Sequence, residues 1–447
     1  MTVSRTICLG FLAVILLGTS LLFMPFSIAQ GPWFTWDHFL VALFISTSAV
    51  CVTGHIVVDI GTYFSPLGQG IIAALVQIGG LGYMTATTFL LLLVGRRFAL
   101  RDKIALQQAL DRTGLQGMAQ VIQSIVATTI LFEVTGVFLL TIAFSQKHGL
   151  ERGLQLALFH SVSAWNNAGF SLFPDNLMSY HGSWLVNLVI TGLIIMGGIG
   201  YDVIFEGFLW LRDFFTGRAL KWTFSLNFKV AVSTTLVLLI TGTIAILVTE
   251  FYNPNTLGPM SWNDKILAAW FQAVTPRTAG FNTINYGEMT TTALFITIVL
   301  MFIGGSPGGT AGGIKTTTLR ILTSITQAIL QGKEEVLLYE RTVPLSLILK
   351  ATGVAVGSLA AVMAVTILMT ISDPEVAFIR ILFEVMSAFG TVGLSTGITA
   401  ALSDVSKLLL IAMMYIGRVG ILLLMSAILG DPKPTSVHYP EENLLVG

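Results

Sequence analysis

Of 447 residues, 54% are hydrophobic and only 10% charged, against about a quarter charged in soluble domains. The 23 Lys and Arg offset 23 Asp and Glu, so no global basic field points to nucleic acid and no acidic field to a polybasic partner. Composition therefore excludes an ordinary soluble domain and indicates a chain that crosses a membrane many times.

Residues 6–29 form an apolar run behind Arg5. It exceeds the roughly 7–15 residues of a signal-peptide core and reads as a retained first membrane helix. Seven further stretches suit a hydrocarbon layer of about 30 Å: residues 66–94, 120–144, 184–211, 228–251, 291–321 across an interruption, 345–371 and 405–429. Cys8 and Cys51 are too few and too far apart to suggest a metal site or a disulfide framework, although a single bridge stays open.

Between the members of each successive pair of spans lies a shorter, less apolar segment: HFLVALFISTSAVCVTG, LQLALFHSVSAWNNAG, ILAAWFQAVTPRTAG and IRILFEVMSAFGTVG. Each ends on glycine. Gly54, Gly169, Gly280 and Gly393 follow one another at intervals of 115, 111 and 113 residues, an internal fourfold repeat. The register extends upstream to Phe44, Phe159, Trp270 and Phe383, and to Ser48, Ser163, Val274 and Ser387. Downstream, a second glycine cluster returns at Gly79, Gly197, Gly304 and Gly417. The repeats occupy residues 5–98, 119–213, 226–325 and 345–430 of a single domain, with 431–447 as a short tail, too short for a regulatory domain.

The short segments carry helix-start signals. Ser261 with Asp264 and Ser372 with Glu375 have capping-box spacing, and Pro374 falls where its missing N–H is harmless. A helix from Ser372 to Ala388, rising about 1.5 Å per residue, reaches roughly halfway or slightly more into a membrane and does not cross it. These are predicted re-entrant pore helices. The expected fold class is an all-α membrane protein of four helix–pore loop–helix repeats, eight transmembrane helices in all, arranged pseudo-fourfold around one pore.

Charge sets the orientation. With the loops between repeats cytoplasmic, 14 basic residues lie inside: Arg5, Arg96, Arg97, Arg101, Lys103, Arg112, Arg212, Arg218, Lys221, Lys229, Arg320, Lys333, Arg341 and Lys433. The opposite face holds 6: Lys147, Arg152, Lys265, Arg277, Arg380 and Lys407. The positive-inside rule then puts both termini in the cytoplasm. Lys315, Lys350 and Arg418 fall at membrane depth, and Lys350 is expected to snorkel to the cytoplasmic interface.

Irregular backbone at membrane depth survives only where protein buries it or where it lines a water-filled cavity. Four such loops around an axis present rings of carbonyl oxygens, the ligands that replace the water of a monovalent cation. Glycine supplies the positive φ that aims them inward. Pore-helix carboxyl ends add partial negative charge at the same place. Close helix packing would explain one such glycine, but not four in register.

The segments CVTG, NNAG, RTAG and TVGLS resemble the filters of the Ktr, Trk and HKT potassium transporters, a superfamily built like a tetrameric potassium channel folded from one chain. The resemblance covers nearly the whole chain, and eight spans without an extra pair resemble the Ktr membrane subunit more than Trk. It implies a selectivity filter of Val52, Thr53, Gly54; Asn167, Ala168, Gly169; Thr278, Ala279, Gly280; and Thr391, Val392, Gly393, with K+ held by the backbone carbonyls at the four glycines. Glycine rather than serine at the first of these is the pattern associated with potassium over sodium.

Further expectations come from the resemblance. They are potassium uptake across the plasma (inner) membrane, Na+ as a coupling or activating ion, no bound cofactor, a homodimer in the lipid bilayer, and a cytoplasmic ring of nucleotide-binding regulatory subunits. Nucleic acid is not an expected partner, and the protein is not an enzyme. A sodium or non-selective cation transporter is the alternative. A secondary transporter of an organic solute would instead show inverted two-part symmetry, and no GxSxG or HExxH supports an enzyme. His55 departs from the family pattern, which would place an apolar residue there. It lines the outer mouth, where protonation would hinder cations, or packs behind the filter.

The glycine-rich stretch GGSPGGTAGGIKTTT at 304–318 invites a phosphate-loop reading, but Ile314 separates Gly313 from Lys315 and a membrane helix precedes it. Repeats one and two carry GGLGY and GGIGY at the same place. Gly304, Gly305, Ser306, Pro307, Gly308, Gly309, Thr310, Ala311, Gly312, Gly313 and Lys315 therefore read as an unwound segment below the filter. In Ktr and Trk relatives the matching segment is an intramembrane gating loop; a static helix break is the other reading. Arg418, 25 residues after Gly393, is expected by resemblance to be a cation barrier beneath the filter, or else an ion-pair partner of Glu384 or Asp202. Glu133, Glu206 and Glu384 are left between pore and packing roles.

Overall fold

In the computed structural model, the structure describes residues 3–29, 34–82, 85, 118–217 and 223–430. Arg96, Arg97, Arg101, Lys103, Arg112, Arg218, Lys221, Lys433 and the tail lie outside these. Fifteen helices carry the described architecture. They are α1 Val3–Phe23, α2 Trp36–Val50, α3 Pro66–Leu81, α4 Met118–His148, α5 Leu150–Trp165, α6 Trp184–Gly198, α7 Tyr201–Phe215 and α8 Leu226–Glu250, followed by α9 Trp262–Val274, α10 Thr291–Phe302, α11 Thr316–Leu330, α12 Leu345–Ser372, α13 Phe378–Phe389, α14 Asp404–Val419 and α15 Ile421–Leu429.

Among the described residues, four helices are long and apolar enough to cross a membrane: Ser4–Phe23, Val121–His148, Leu226–Glu250 and Leu345–Ser372. Each opens one of the sequence units and packs on the shorter helix that follows it: α1 on α2, α4 on α5, α8 on α9, α12 on α13. The short helices α2, α5, α9 and α13 have 15, 16, 13 and 12 residues, so at about 1.5 Å per residue none spans about 30 Å.

Local chemistry explains most boundaries. Thr35 caps α2 by accepting from the His38 N–H. Ser65, Ser183, Ser225, Thr290 and Ser403 cap α3, α6, α8, α10 and α14 in the same way. The capping pair at Ser261 forms: its hydroxyl accepts from the Asp264 N–H and donates to the Asp264 carboxylate. The pair at Ser372 does not. Helix α12 runs through Ser372, and α13 begins at Phe378 behind Ala377 with no side-chain cap. Asp373 instead braces the start of α14, accepting from the Ser403 N–H at 3.0 Å and the Ser403 hydroxyl at 2.8 Å.

Two expected straight spans are broken. Helices α6 and α7 bend by 106° and α14 and α15 by 95°, at Gly200 with φ 99° and Gly420 with φ 90°. Left-handed backbone at these glycines turns the chain sharply, so 184–211 and 405–429 are each two helices. The third unit unwinds completely from Ile303 to Lys315. A two-residue antiparallel pair, Leu337–Leu338 with Arg341–Thr342, follows α11, and isolated bridges join Ile28 to Phe64 and Ile303 to Ile314; the rest of the described regular structure is helical.

Inter-unit packing closes on itself. Helix α3 packs on α5, α6 on α9, α10 on α13, and α14 returns to α2. The first and last units are also joined by α1 against α15, where the Ser4 and Ser426 hydroxyls lie 3.0 Å apart and the Arg5 Nε donates to the Ala427 carbonyl. Cys8 and Cys51 are both buried and free.

Candidate functional site

The four glycine-ended segments meet at the centre of this closed arrangement. A Cβ on Gly54 would collide with the Ala168 carbonyl, one on Gly169 with that of Ala279, one on Gly280 with that of Val392, and one on Gly393 with that of Thr53. Each segment thus abuts the next and the fourth abuts the first.

The backbone has the same unusual handedness in all four. Gly54, Gly169, Gly280 and Gly393 have φ of 85°, 70°, 77° and 85°. Two residues earlier, Val52, Asn167, Thr278 and Thr391 are also left-handed, at 56°, 57°, 67° and 49°. Such φ is costly for non-glycine residues, above all β-branched ones, and such strain gathers at functional sites. Left-handed positions at alternate residues keep successive carbonyls from pointing to opposite sides, as they would in an ordinary strand. Among the described residues, no hydrogen bond ends on a carbonyl of residues 52–54, 167–169, 278–280 or 391–393. Buried carbonyls without protein partners need water or a cation.

The segments are held from behind. The N–H groups of Thr53, Ala168 and Val392 donate to Ser48, Ser163 and Ser387 carbonyls at 2.7, 2.7 and 2.8 Å. In the third unit Ala279 donates to Thr275 at 2.9 Å. The Ser163 hydroxyl donates to the Phe170 carbonyl, and the Thr275 hydroxyl to that of Phe281. Helices α2, α5, α9 and α13 end immediately before the segments, which aims their negative ends at the same centre. On one side the four glycines floor an open cavity of ≈ 380 Å³ whose wall includes Asp59, Asp175, Asn176, Ser395 and Thr399.

His55 is not on that wall. It is fully buried, with Nδ1 3.5 Å from Glu384 Oε2, so of its two readings packing behind the segment fits. Glu384 is equally buried and accepts from the Ser395 hydroxyl, the Thr396 N–H and the Thr399 hydroxyl at 2.8, 2.9 and 2.8 Å. Glu133 accepts from the Asn166 amide at 3.2 Å, and Glu206 takes up the Ser225 N–H and hydroxyl at the start of α8. All three carboxylates therefore serve local structure.

The unwound third-unit segment lies against the other side of the glycine segments. A Cβ on Gly312 would overlap the Thr391 side chain. The Thr310 hydroxyl donates to Asn167 Oδ1 at 3.2 Å and lies 3.4 Å from the Trp165 carbonyl. Four N–H groups of this segment are bonded to carbonyls: Gly304 donates to Ile314, Ser306 to Gly198, Gly309 to Ser306 and Thr310 to Gly197. Lys315 Nζ donates to the Ala311 carbonyl at 2.7 Å.

Arg418 donates to the carbonyls of Thr310 in this segment and of Gly79 and Gly80 at the end of α3. Its bonds tie first, third and fourth units together, and Glu384 is engaged elsewhere. The second glycine cluster has a packing role: a Cβ at Gly79, Gly197 or Gly417 would overlap the last carbonyl of the short helix in its own unit, Val50, Trp165 or Phe389. Arg277 was counted only as an outer charge by sequence. It is 7% exposed and donates through Nη2 to the Gly304 carbonyl at 3.2 Å. The clue was its place three residues before Gly280, where no charge occurs in the other units.

Residues 16–439 match the family TrkH, described as cation transport protein. Ktr system potassium uptake protein B of Bacillus subtilis (strain 168) is 39% identical over 446 residues, covering 100% of this chain and 97% of its own length. The protein of that name from Vibrio alginolyticus is 37% identical, covering 99% and 94%. Potassium/sodium uptake protein NtpJ of Enterococcus hirae is 36% identical, covering 99% and 97%. The crystal structure of the potassium transporter TrkH from Vibrio parahaemolyticus shares the fold, with a TM-score of 0.71 at 20% identity over 95% of this chain and 85% of that one. The helices that suit a membrane and this kinship make the protein a multi-pass membrane protein, and the chain belongs to the TrkH family of cation transport proteins, among its Ktr-type members.

Proposed function

We propose that this chain is the ion-translocating subunit of a potassium uptake system, with the four glycine-ended segments as its selectivity filter. The carrying observation is the closed set of segments with matching left-handed glycines and carbonyls that, among the described residues, no donor satisfies. Partial dehydration of a monovalent cation requires oxygen ligands on several sides, and four neighbouring segments supply them. Among the described residues, the Thr278 and Thr391 hydroxyls are buried without partners beside the same carbonyls, which suits a place visited by water or ions. Asp59 and Asp175 at the cavity raise the local cation concentration.

On this reading each unit contributes an outer helix, a re-entrant pore helix, a filter segment and an inner helix, so that eight spans surround one pore. The cavity faces outward, both termini face the cytoplasm, and the inside-negative potential supplies about 2.3 kcal/mol per charge per 100 mV. The third-unit segment, pinned against the filter by Arg418, is a gate, and the Arg418 charge is a barrier to cations. The Ktr names of the relatives support a multi-component system. The corresponding partners are a second copy of this chain and a cytoplasmic ring of nucleotide-binding regulatory subunits.

A second reading, potassium and sodium together, is favoured by the name of the NtpJ relative. Growth of potassium-uptake-deficient cells on low potassium, with and without sodium and with a regulatory partner co-expressed, tests both. Rescue is expected. Failure to rescue with the protein in the membrane would contradict uptake, and rescue that ignores sodium would remove sodium coupling.

A further inference from the structure

Among the filter-segment residues, Asn167 is the one whose side chain bonds to both another filter segment and the loop beneath. Its Oδ1 accepts from the Thr310 hydroxyl at 3.2 Å, and its Nδ2 donates to the Arg277 carbonyl in the neighbouring third-unit segment at 3.3 Å. All three residues are more than nine-tenths buried. The amide is confined from the opposite side, since a Cβ on Gly197 would lie 2.9 Å from Oδ1 and one on Gly198 3.1 Å from Nδ2. Asn167 itself is left-handed, φ 57°, so its side chain leaves the backbone at the strained step of the segment.

The corresponding side chains in the other units, Val52, Thr278 and Thr391, offer no such pair of bonds; the two threonine hydroxyls have no partner among the described residues. A parallel tie runs through Arg277, whose Nη2 donates to Gly304 at the start of the unwound segment. Displacing Thr310 therefore breaks one bond of an amide whose other bond fixes the third filter segment. An amide released on one side can turn, and its remaining bond to the Arg277 carbonyl then changes direction.

We infer that Asn167 is a positioning residue that couples the loop to the filter, so that loop displacement alters ion selectivity as well as flux. This rests on the filter-and-gate reading above. Thr310→Val keeps the side-chain shape and removes the hydroxyl; Thr310→Ser keeps the hydroxyl. Purified protein in proteoliposomes, with K+ and Na+ uptake measured side by side, gives the selectivity ratio. Thr310→Val and Asn167→Leu are each expected to change that ratio by about threefold or more, with the double variant no worse than either single one. Thr310→Ser is expected to match the unaltered protein. A changed flux at constant ratio in Thr310→Val, or effects that multiply in the double variant, would overturn the coupling. Gly280→Ser in the same assay separates the two failures: an altered ratio there with an unaltered ratio in Thr310→Val rejects the coupling alone, whereas no change in Gly280→Ser rejects the filter reading beneath it.

Discussion

The ring of glycine segments and the layer below it follow different rules. Above, all four units repeat one backbone conformation, left-handed at the glycine and again two residues earlier. Below, the units diverge: the first, second and fourth break at left-handed Gly82, Gly200 and Gly420, whereas the third unwinds, and the fourth contributes Arg418. Holding an ion evenly needs equivalent ligands around it. Blocking its path needs one element that can differ from the rest, and on the proposed reading the third unit is that element.

If that division is right, the two layers should respond differently to substitution. The largest effect is expected in the ring. Gly393→Ala places a Cβ against the Thr53 carbonyl and puts a side chain at φ 85°, a conformation that costs about 1–2 kcal/mol from handedness alone. Potassium uptake should be abolished at normal membrane abundance; retained uptake would show that the ring tolerates distortion and is not the filter. Below the ring the sign reverses. Removing residues 306–312 should raise ion flux, and lowered flux with normal expression would favour a static helix break over a gate.

Arg418→Gln should also raise flux, by less, because it removes the charge and loosens the ties to Thr310, Gly79 and Gly80 but leaves the loop in place. The smallest effect belongs to the brace behind the ring. Glu384→Gln keeps the shape and loses the ionic acceptor for Ser395, Thr396 and Thr399. Since a hydrogen bond to a charged group is worth about 1.5–3 kcal/mol, thermal unfolding in detergent should shift downward with flux changed little. An unshifted midpoint would mean that the brace is not needed.

The ring was legible in sequence because its demands fall on residue type: glycine at nearly regular intervals, serine behind it in three of the four units, a short helix before it. The left-handed Val52, Asn167, Thr278 and Thr391 were not, since nothing in a valine or threonine announces positive φ. The interruption at 304–318 was visible from glycine density, but the bends at Gly200 and Gly420 were hidden inside apolar runs of spanning length. Ser372 misled for a similar reason: capping-box spacing also occurs by chance inside a long helix, and Asp373 was free to cap α14 from a distance in sequence. Arg418 reads in sequence as buried charge, whereas its carbonyl partners come from two other units, the first and the third, and have no local signature.

The most direct test of the central claim is the ratio of K+ to Na+ uptake by Gly280→Ser in proteoliposomes. A serine there meets φ 77° and the Val392 carbonyl, so the ring must rearrange. The account predicts a weakened preference for potassium, and an unchanged ratio in well-folded protein would contradict it.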